Sequence, residues 1–255
     1  MIRKLLEPNK YIPTVIQLLT PFALYLGFGA EWYWWVAAIV WFFLYRMIGH
    51  NVALHRFYTH DQFTTSKFGE VVLAWFALMC CVGSPLSYTI VHLVHHRYSD
   101  TDLDPHGPIH GKKSFLYCFW NPPYTLENTP VFGKRLLKLS HYMWMNWFYW
   151  PLIALQAFLF YLIDWKVFLF FWWIPVSLTL WEIAFSTYIS HVERGVLGPV
   201  DHHKFGKWVP VHEYLHKVHH YYPVLGKHGD WDYTYYICKL FAKTWRMEKL
   251  EAHPK

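Results

Sequence analysis

Residues 32–60 read WYWWVAAIVWFFLYRMIGHNVALHRFYTH. The first eighteen of them, 32–49, carry one charge, Arg46. At 1.5 Å per helical residue they cover about 27 Å, close to the roughly 30 Å hydrocarbon thickness of a bilayer. Histidines begin where the apolar run ends, at His50, His55 and His60. A membrane span leading into a cluster of imidazoles is therefore the organising feature of the chain. Upstream, residues 11–29 carry no charge and predict a first span, joined to the second by a very short turn. A basic segment precedes it, but Phe28 to Ala30 lacks the small-x-small pattern of a signal-peptide cleavage site, so the span is read as retained. Downstream, 146–163 and 167–190 predict a second hairpin, closed by Asp164, Trp165 and Lys166.

The rest of the chain agrees with this reading. Hydrophobic residues make up 55% and aromatic ones 22%, while charged residues reach only 16% against about 25% in soluble domains. A disordered chain and an ordinary soluble domain are excluded. The net charge of +6 suits an anionic membrane surface, and with so much apolar sequence nucleic acid is not an expected partner. Basic residues gather at the N-terminus, in 50–145 and at the C-terminus, whereas the hairpin loops have few. By the positive-inside rule both termini and the long middle segment lie in the cytoplasm.

The predicted fold is an all-α integral membrane protein. It is a single domain over 1–255, with four transmembrane helices in two hairpins and a cytosolic helical cap from 50–145 and 191–255. Residues 69–91 are apolar enough to cross, but crossing would put the histidines before and after them on opposite faces, so they are read as interfacial. Residues 231–245 place Trp231, Tyr235, Cys238, Phe241, Ala242 and Trp245 at helical spacing. That predicts an amphipathic helix lying in the interface or covering the cap. Four cysteines, two of them adjacent, form neither a disulfide framework nor a metal knuckle.

Histidine carries the chemistry. There are 18, and three clusters stand out: HRFYTH with His55 and His60, HLVHH with His92, His95 and His96, and HKVHH with His216, His219 and His220. At 100° per residue, the three imidazoles of an HxxHH box fall within about a 100° arc of one helix face. His55 and His60 would be about 140° apart on an ideal helix, which predicts that they straddle a helix end. His191, at the end of the fourth span, is a further candidate. Random placement of 18 histidines would yield two HxxHH boxes in roughly 0.4% of such chains, so composition alone does not explain them. Nine imidazoles without a thiolate suit iron, zinc or copper and are enough for two metals. A carboxylate-bridged di-iron site of the ferritin type needs two ExxH motifs, and only Glu213 to His216 fits one.

With HRFYTH, HLVHHRYSDTDLDPH, EYLHKVHHYYP and KHGDWDY in this order, the chain resembles the membrane fatty-acyl desaturases over about residues 40–245, in particular the delta-9 type acyl-CoA and acyl-lipid desaturases. The resemblance implies a cytoplasmic centre of two iron ions held by His55, His60, His92, His95, His96, His191, His216, His219 and His220, above a tunnel into the membrane part. It also implies O2 as co-substrate and insertion of a cis double bond, delta-9 in that type, into a saturated acyl chain. That chain would be carried on coenzyme A, a carrier protein or a lipid. No haem-binding HPGG segment or nucleotide fingerprint is present, so electrons are expected from a separate ferredoxin or cytochrome b5. Three departures stand out: Thr187 replaces the family's Asn one turn before His191, His212 and Lys217 replace a frequent Gly and Asn, and the loop from His191 to the third box is short.

Other readings compete. Hydroxylation by the same oxidant differs from desaturation only in positioning. HEYLH is a literal HExxH, which would make His212 and His216 zinc ligands and Glu213 the general base of a membrane protease. A metal transporter needs ligands near the bilayer midplane, where no cluster falls. In the desaturase reading Glu213 instead orients a ligand imidazole, as Asp100, Asp102 or Asp104 does for the second box, and Thr187 holds a water. Glu182, inside the fourth span, is expected to be a buried hydrogen-bonded partner of Gln156 or Arg46 rather than a tunnel or proton-carrying group. His50, His106, His110, His141, His202, His203, His228 and His253 are read as structural or surface residues, with His106 of DPH a candidate to support a ligand. Arg56, Arg97 and Lys217 lie where a phosphate-bearing head group or an acidic electron donor would bind.

Overall fold

The computed structural model describes residues 11–105, 118, 131–193, 196–202, 208–210 and 213–249. It is mostly helical, with two antiparallel two-stranded ribbons. The first apolar segment forms α1 (Tyr11–Leu18) and α2 (Thr20–Gly27). The break at Leu19 has a local cause: Pro21 has no N–H for the Gln17 carbonyl, which accepts the Thr20 hydroxyl at 2.6 Å instead.

α3 (Trp32–Thr59) is a single 28-residue helix that is long and apolar enough to cross a bilayer. Its second half, Tyr45–Thr59, is a π-helix. The helix therefore does not end at 49, where the apolar run stops, but continues into the first histidine cluster. α4 (Lys67–Met79) starts at Ser66, whose side chain accepts from the Gly69 N–H, and packs along this π segment. The close approach needs Gly49, since a Cβ there would collide with the Phe76 carbonyl. α5 (Pro85–Tyr98) has Ser84 as its N-cap and Pro85 in its first turn, where a missing N–H costs nothing. The stretch 69–91, read from sequence as interfacial, falls within two helices folded against the π segment.

After α6 (Lys134–Leu137), α7 (Ser140–Trp147) and α8 (Tyr149–Ile163) meet at 69°. Pro151 forces the bend, because its ring clashes with the Trp147 carbonyl four residues back. α9 (Trp165–His191) is the second continuous helix of spanning length, with 27 residues. Leu169–Trp173 forms a π turn just before Pro175, and the Phe171 carbonyl left without the proline N–H accepts the Tyr45 hydroxyl. Two helices, or three with the bent pair taken as one span, are long and apolar enough to cross among the described residues. Many large apolar side chains of α1, α2, α3 and α8 face outward, among them Tyr25, Val36, Ile39 and Leu162.

The segment predicted as one amphipathic helix over 231–245 is helical only as α11 (Tyr233–Cys238). Asp232 caps it, and the chain then turns so that β4 (Thr244–Trp245) pairs with β1 (Phe63–Thr64). Strand pairing beyond the first histidine cluster has overridden the helical period. Trp245 packs against the rings of Phe63 and Tyr235 at that end of the core. The other ribbon, β2 (Val192–Glu193) with β3 (Val196–Leu197), leaves α9 at His191. The third histidine box forms α10 (His216–Tyr221), whose N-terminal amides of Lys217 and Val218 donate to the Asp201 carboxylate.

Candidate metal centre

The π-helix explains the five-residue spacing of the first cluster. Hydrogen bonds from i to i+5 place residues five apart one above another, and the His60 N–H donates to the His55 carbonyl at 3.1 Å. His50, His55 and His60 therefore form one stripe, rather than His55 and His60 diverging across a helix end. On α5, His92, His95 and His96 share a face, as do His216, His219 and His220 on α10. His191 ends α9.

The nine candidate histidines converge as two adjoining groups. One comprises His55, His60, His92, His96 and His219, the other His95, His191, His216 and His220, and within each group the nitrogens lie within 4.8 Å of one another. In the first group Nε2 atoms lie 2.9 Å apart between His55 and His219, 3.0 Å between His219 and His96, and 3.1 Å between His96 and His92. In the second they are 2.8 Å apart between His191 and His216 and 3.0 Å between His216 and His220. The groups touch where the rings of His96 and His220 stack at 4.3 Å.

This arrangement fits bound metal. For a metal–nitrogen bond of about 2.1 Å, ligands about 90° apart lie about 3.0 Å from each other, and tetrahedral ones about 3.4 Å. The observed spacings, from 2.8 Å to 3.1 Å, are those of nitrogens that a metal could gather. Buried His60 Nε2 has no hydrogen-bond partner among the described residues, as suits a nitrogen reserved for a metal. Burial, and then neighbouring imidazoles, hold His60, His92, His96, His216 and His219 well below the ordinary histidine value, and His220 is pushed down to about 2. These imidazoles are neutral at physiological pH, the form that ligates.

Carboxylates fix the ring orientations from behind. His95 Nδ1 donates to Asp104, with both oxygens at 2.9 Å, and His191 Nδ1 donates to Asp100 at 3.1 Å. Asp100 adopts a left-handed conformation at φ 63°, which turns the chain so that its amide donates to Asp104 Oδ2 at 2.9 Å. Glu213 lies 3.2 Å from His55 Nδ1. Burial alone would raise the Glu213 carboxyl, but His55, Arg56 and His228 hold it well below the usual range. Asp102, the third acid of that loop, is exposed. Thr187 lines the cavity below His191.

Two residues read as structural or surface ones are structural parts of this scaffold. His228 is buried beside His219, 3.3 Å from Glu213, and its backbone amide donates to Asp232. His50 sits one π-turn from His55, and its Nε2 lies 3.1 Å from the Tyr88 hydroxyl. The sequence signals were the five-residue period of 50, 55 and 60 and the position of His228 within KHGDWDY. Arg56 is fully buried and donates to Glu213 at 2.9 Å, Asp232 at 2.8 Å and the Gly226 carbonyl at 2.6 Å. It is therefore not available to a head group, whereas Arg97 and Lys217 are exposed.

The remaining expectations resolve as follows. Glu182 is ion-paired with Arg46, while Gln156 donates instead to the Trp75 carbonyl. His141 is exposed beside Glu70, and His202 bonds the Ile189 carbonyl. His106, His110, His203, His212 and His253 lie outside the described residues. The HExxH reading is weakened because Glu213 is engaged by Arg56 and His55, and His216 joins His220 of its own box with His95 and His191 from two other helices.

Fold and site together define a membrane-type helical enzyme built on clustered histidines. The chain belongs to the fatty acid desaturase family, whose model matches residues 32–228, and it is an oxidoreductase of that family. It is 29% identical to an acyl-CoA C20 Delta5-desaturase of Anemone leveillei over 84% of this chain and 73% of that one. It is 28% identical to an sn-1 stearoyl-lipid 9-desaturase of Anabaena variabilis, over 77% and 76% respectively. A shorter match, 37% identical over 29% of this chain and 26% of the relative, is to a hex-5-enoyl-[acyl-carrier protein] acetylenase of Moorena producens (strain JHB).

Proposed function

We propose that this protein is an O2-dependent delta-9 fatty-acyl desaturase with one iron in each histidine group. The observation that carries this reading is a cavity bordered by both groups at once. His55 and His92 of the first and His95, His191 and His216 of the second all line it. Bound iron would supply, with O2 and two external electrons, the power to remove two hydrogens from adjacent methylenes and leave a cis double bond. The histidines hold both metals beside one substrate segment, and Asp100, Asp104 and Glu213 keep the rings aimed. Thr187 and Ser190 present hydroxyls to the cavity at the level of His191, where a water or a reacting chain would rest.

The acyl chain arrives on coenzyme A, a carrier protein or a glycerolipid, and electrons come from a separate ferredoxin or cytochrome b5. Four crossings over 11–29, 32–49, 146–163 and 167–190 form a single membrane domain, with the histidine cap and both termini cytoplasmic. Support for this topology comes from the basic residues bordering the histidine side and from the apolar outer surfaces of the helices.

The test is the fatty-acid profile, with double-bond positions, of a host lacking its own desaturase and expressing this chain with each electron donor. New cis-monoenes that vanish on His96→Ala are expected. A well-expressed, iron-loaded protein that yields no unsaturated product with either donor contradicts the reading.

A further inference from the structure

The walls of the cavity below the histidines are polar. Between α3, α5 and α9 it is lined by Arg46, Asn51, Tyr88, Ser186, Thr187 and Ser190, and Ile183 is the apolar residue among the side chains that line it. From His191 back to Glu182 along α9 is nine residues, or about 13 Å. Arg46, ion-paired with Glu182 at that depth, forms part of the cavity wall.

Arg46 is 3% exposed. Its Nε donates to Glu182, and its Nη1 donates to His50 Nδ1 at 2.6 Å and to the Asn51 side-chain oxygen. Nη2, with two N–H donors, has no hydrogen-bond partner among the described residues. Unused guanidinium donors on a cavity wall favour an occupant that accepts from them over one that cannot. A saturated hydrocarbon cannot do so, and it would also desolvate the neighbouring hydroxyls without replacing their hydrogen bonds.

The missing partner has a defined chemistry. Glu182 already neutralises Arg46, as Arg56 does Glu213, so the guanidinium has no unpaired charge to offer an anion and suits a neutral acceptor. We infer that the cavity recognises an acyl chain bearing a neutral oxygen function, a hydroxyl or carbonyl, on the part that lies beyond the reacting carbons. Arg46 is the specificity-determining residue that donates to that oxygen. This inference rests on the acyl reading given above and narrows its substrate class.

The experiment is a competition in the expressing host, or with purified iron-loaded protein and its electron donor. Equal amounts of plain, distal-hydroxy and distal-keto forms of the same deuterated saturated chain are supplied, at medium and at long chain lengths. Unsaturated product from an oxygenated form should exceed that from the plain chain on the order of tenfold or more, since the site loses a buried hydrogen bond with the plain chain. The hydroxy and keto arms separate the two kinds of acceptor. In Arg46→Met/Glu182→Met, which removes both charges together, the preference should collapse or reverse. A thermal-shift comparison on wild-type protein, in which the oxygenated chain protects more than the plain one, reads the same preference without turnover. Plain chains used and bound as well as oxygenated ones would overturn the inference, the cavity floor then holding water, while leaving the desaturase reading intact. If no chain of any kind is converted or bound, the acyl reading itself falls and this inference with it.

Discussion

Asp104→Ala tests how the two histidine groups are held. The Asp104 side chain is fully buried, both oxygens lie 2.9 Å from His95 Nδ1, and Oδ2 also accepts the Asp100 amide. Removing the carboxylate frees the His95 ring to rotate and loosens the loop that carries Asp100 to His191. Both affected histidines belong to the group of four. Loss of such a supporting group typically costs 10- to 100-fold in metal affinity, or about 1.4–2.8 kcal/mol. Titration of purified protein against chelator-buffered iron should show one of two irons released at correspondingly higher free iron, with the other unchanged. Asp104→Asn keeps an oxygen that can accept from Nδ1 and should lose less. An Asp104→Ala protein that binds both irons like the wild type would refute the reasoning, because His95 would then be oriented by something else.

Further outcomes follow from the same geometry. Arg56→Met leaves Glu213 and Asp232 buried without their cation and should cost about 3–5 kcal/mol, read as a large fall in the detergent-solubilised melting temperature; a loss under about 1 kcal/mol would contradict the role given to Arg56. Gly49→Val should prevent accumulation of folded protein, because its side chain meets the Phe76 carbonyl and Cys80 Sγ, and normal expression with normal melting would show that α4 can retreat. In metal-free protein, acid should destabilise. Unfolded histidines take up protons near their ordinary value of about 6.5, while buried ones such as His220, at about 2, do not. Their contribution is therefore complete above about pH 6.5 and is lost as pH falls, by up to about 1.4 kcal/mol per pH unit for each such histidine. Unchanged melting between neutral and mildly acid pH would mean that these rings are not buried neutral.

Much of the site was legible because helix geometry is local. Both HxxHH boxes sit on helices with their imidazoles on one face, and the pairing of Glu182 with Arg46 follows from two charges at corresponding depths of apolar helices. What was not legible depends on tertiary context. The π-helix that aligns His50, His55 and His60 leaves no mark in hydropathy, and a reading at 100° per residue separates residues that the structure stacks. The division of nine histidines into five and four splits the second and third boxes, since α5 gives His92 and His96 to one group and His95 to the other, and α10 gives His219 to one and His216 and His220 to the other. His228 comes in from a loop with no regular period, held by Asp232 and Glu213. The helix predicted over 231–245 has the right apolar spacing, yet pairing of Thr244–Trp245 with Phe63–Thr64 shortens it.

The most direct test of the account is the metal content of the purified protein loaded anaerobically with ferrous iron, measured alongside His216→Ala/His220→Ala. The account predicts about two irons per wild-type chain and about one in the variant, which loses two of the four histidines of one group while the group of five remains. A single metal in the wild type, or loss of both irons in a variant that still folds, would contradict the assignment of two separate histidine groups.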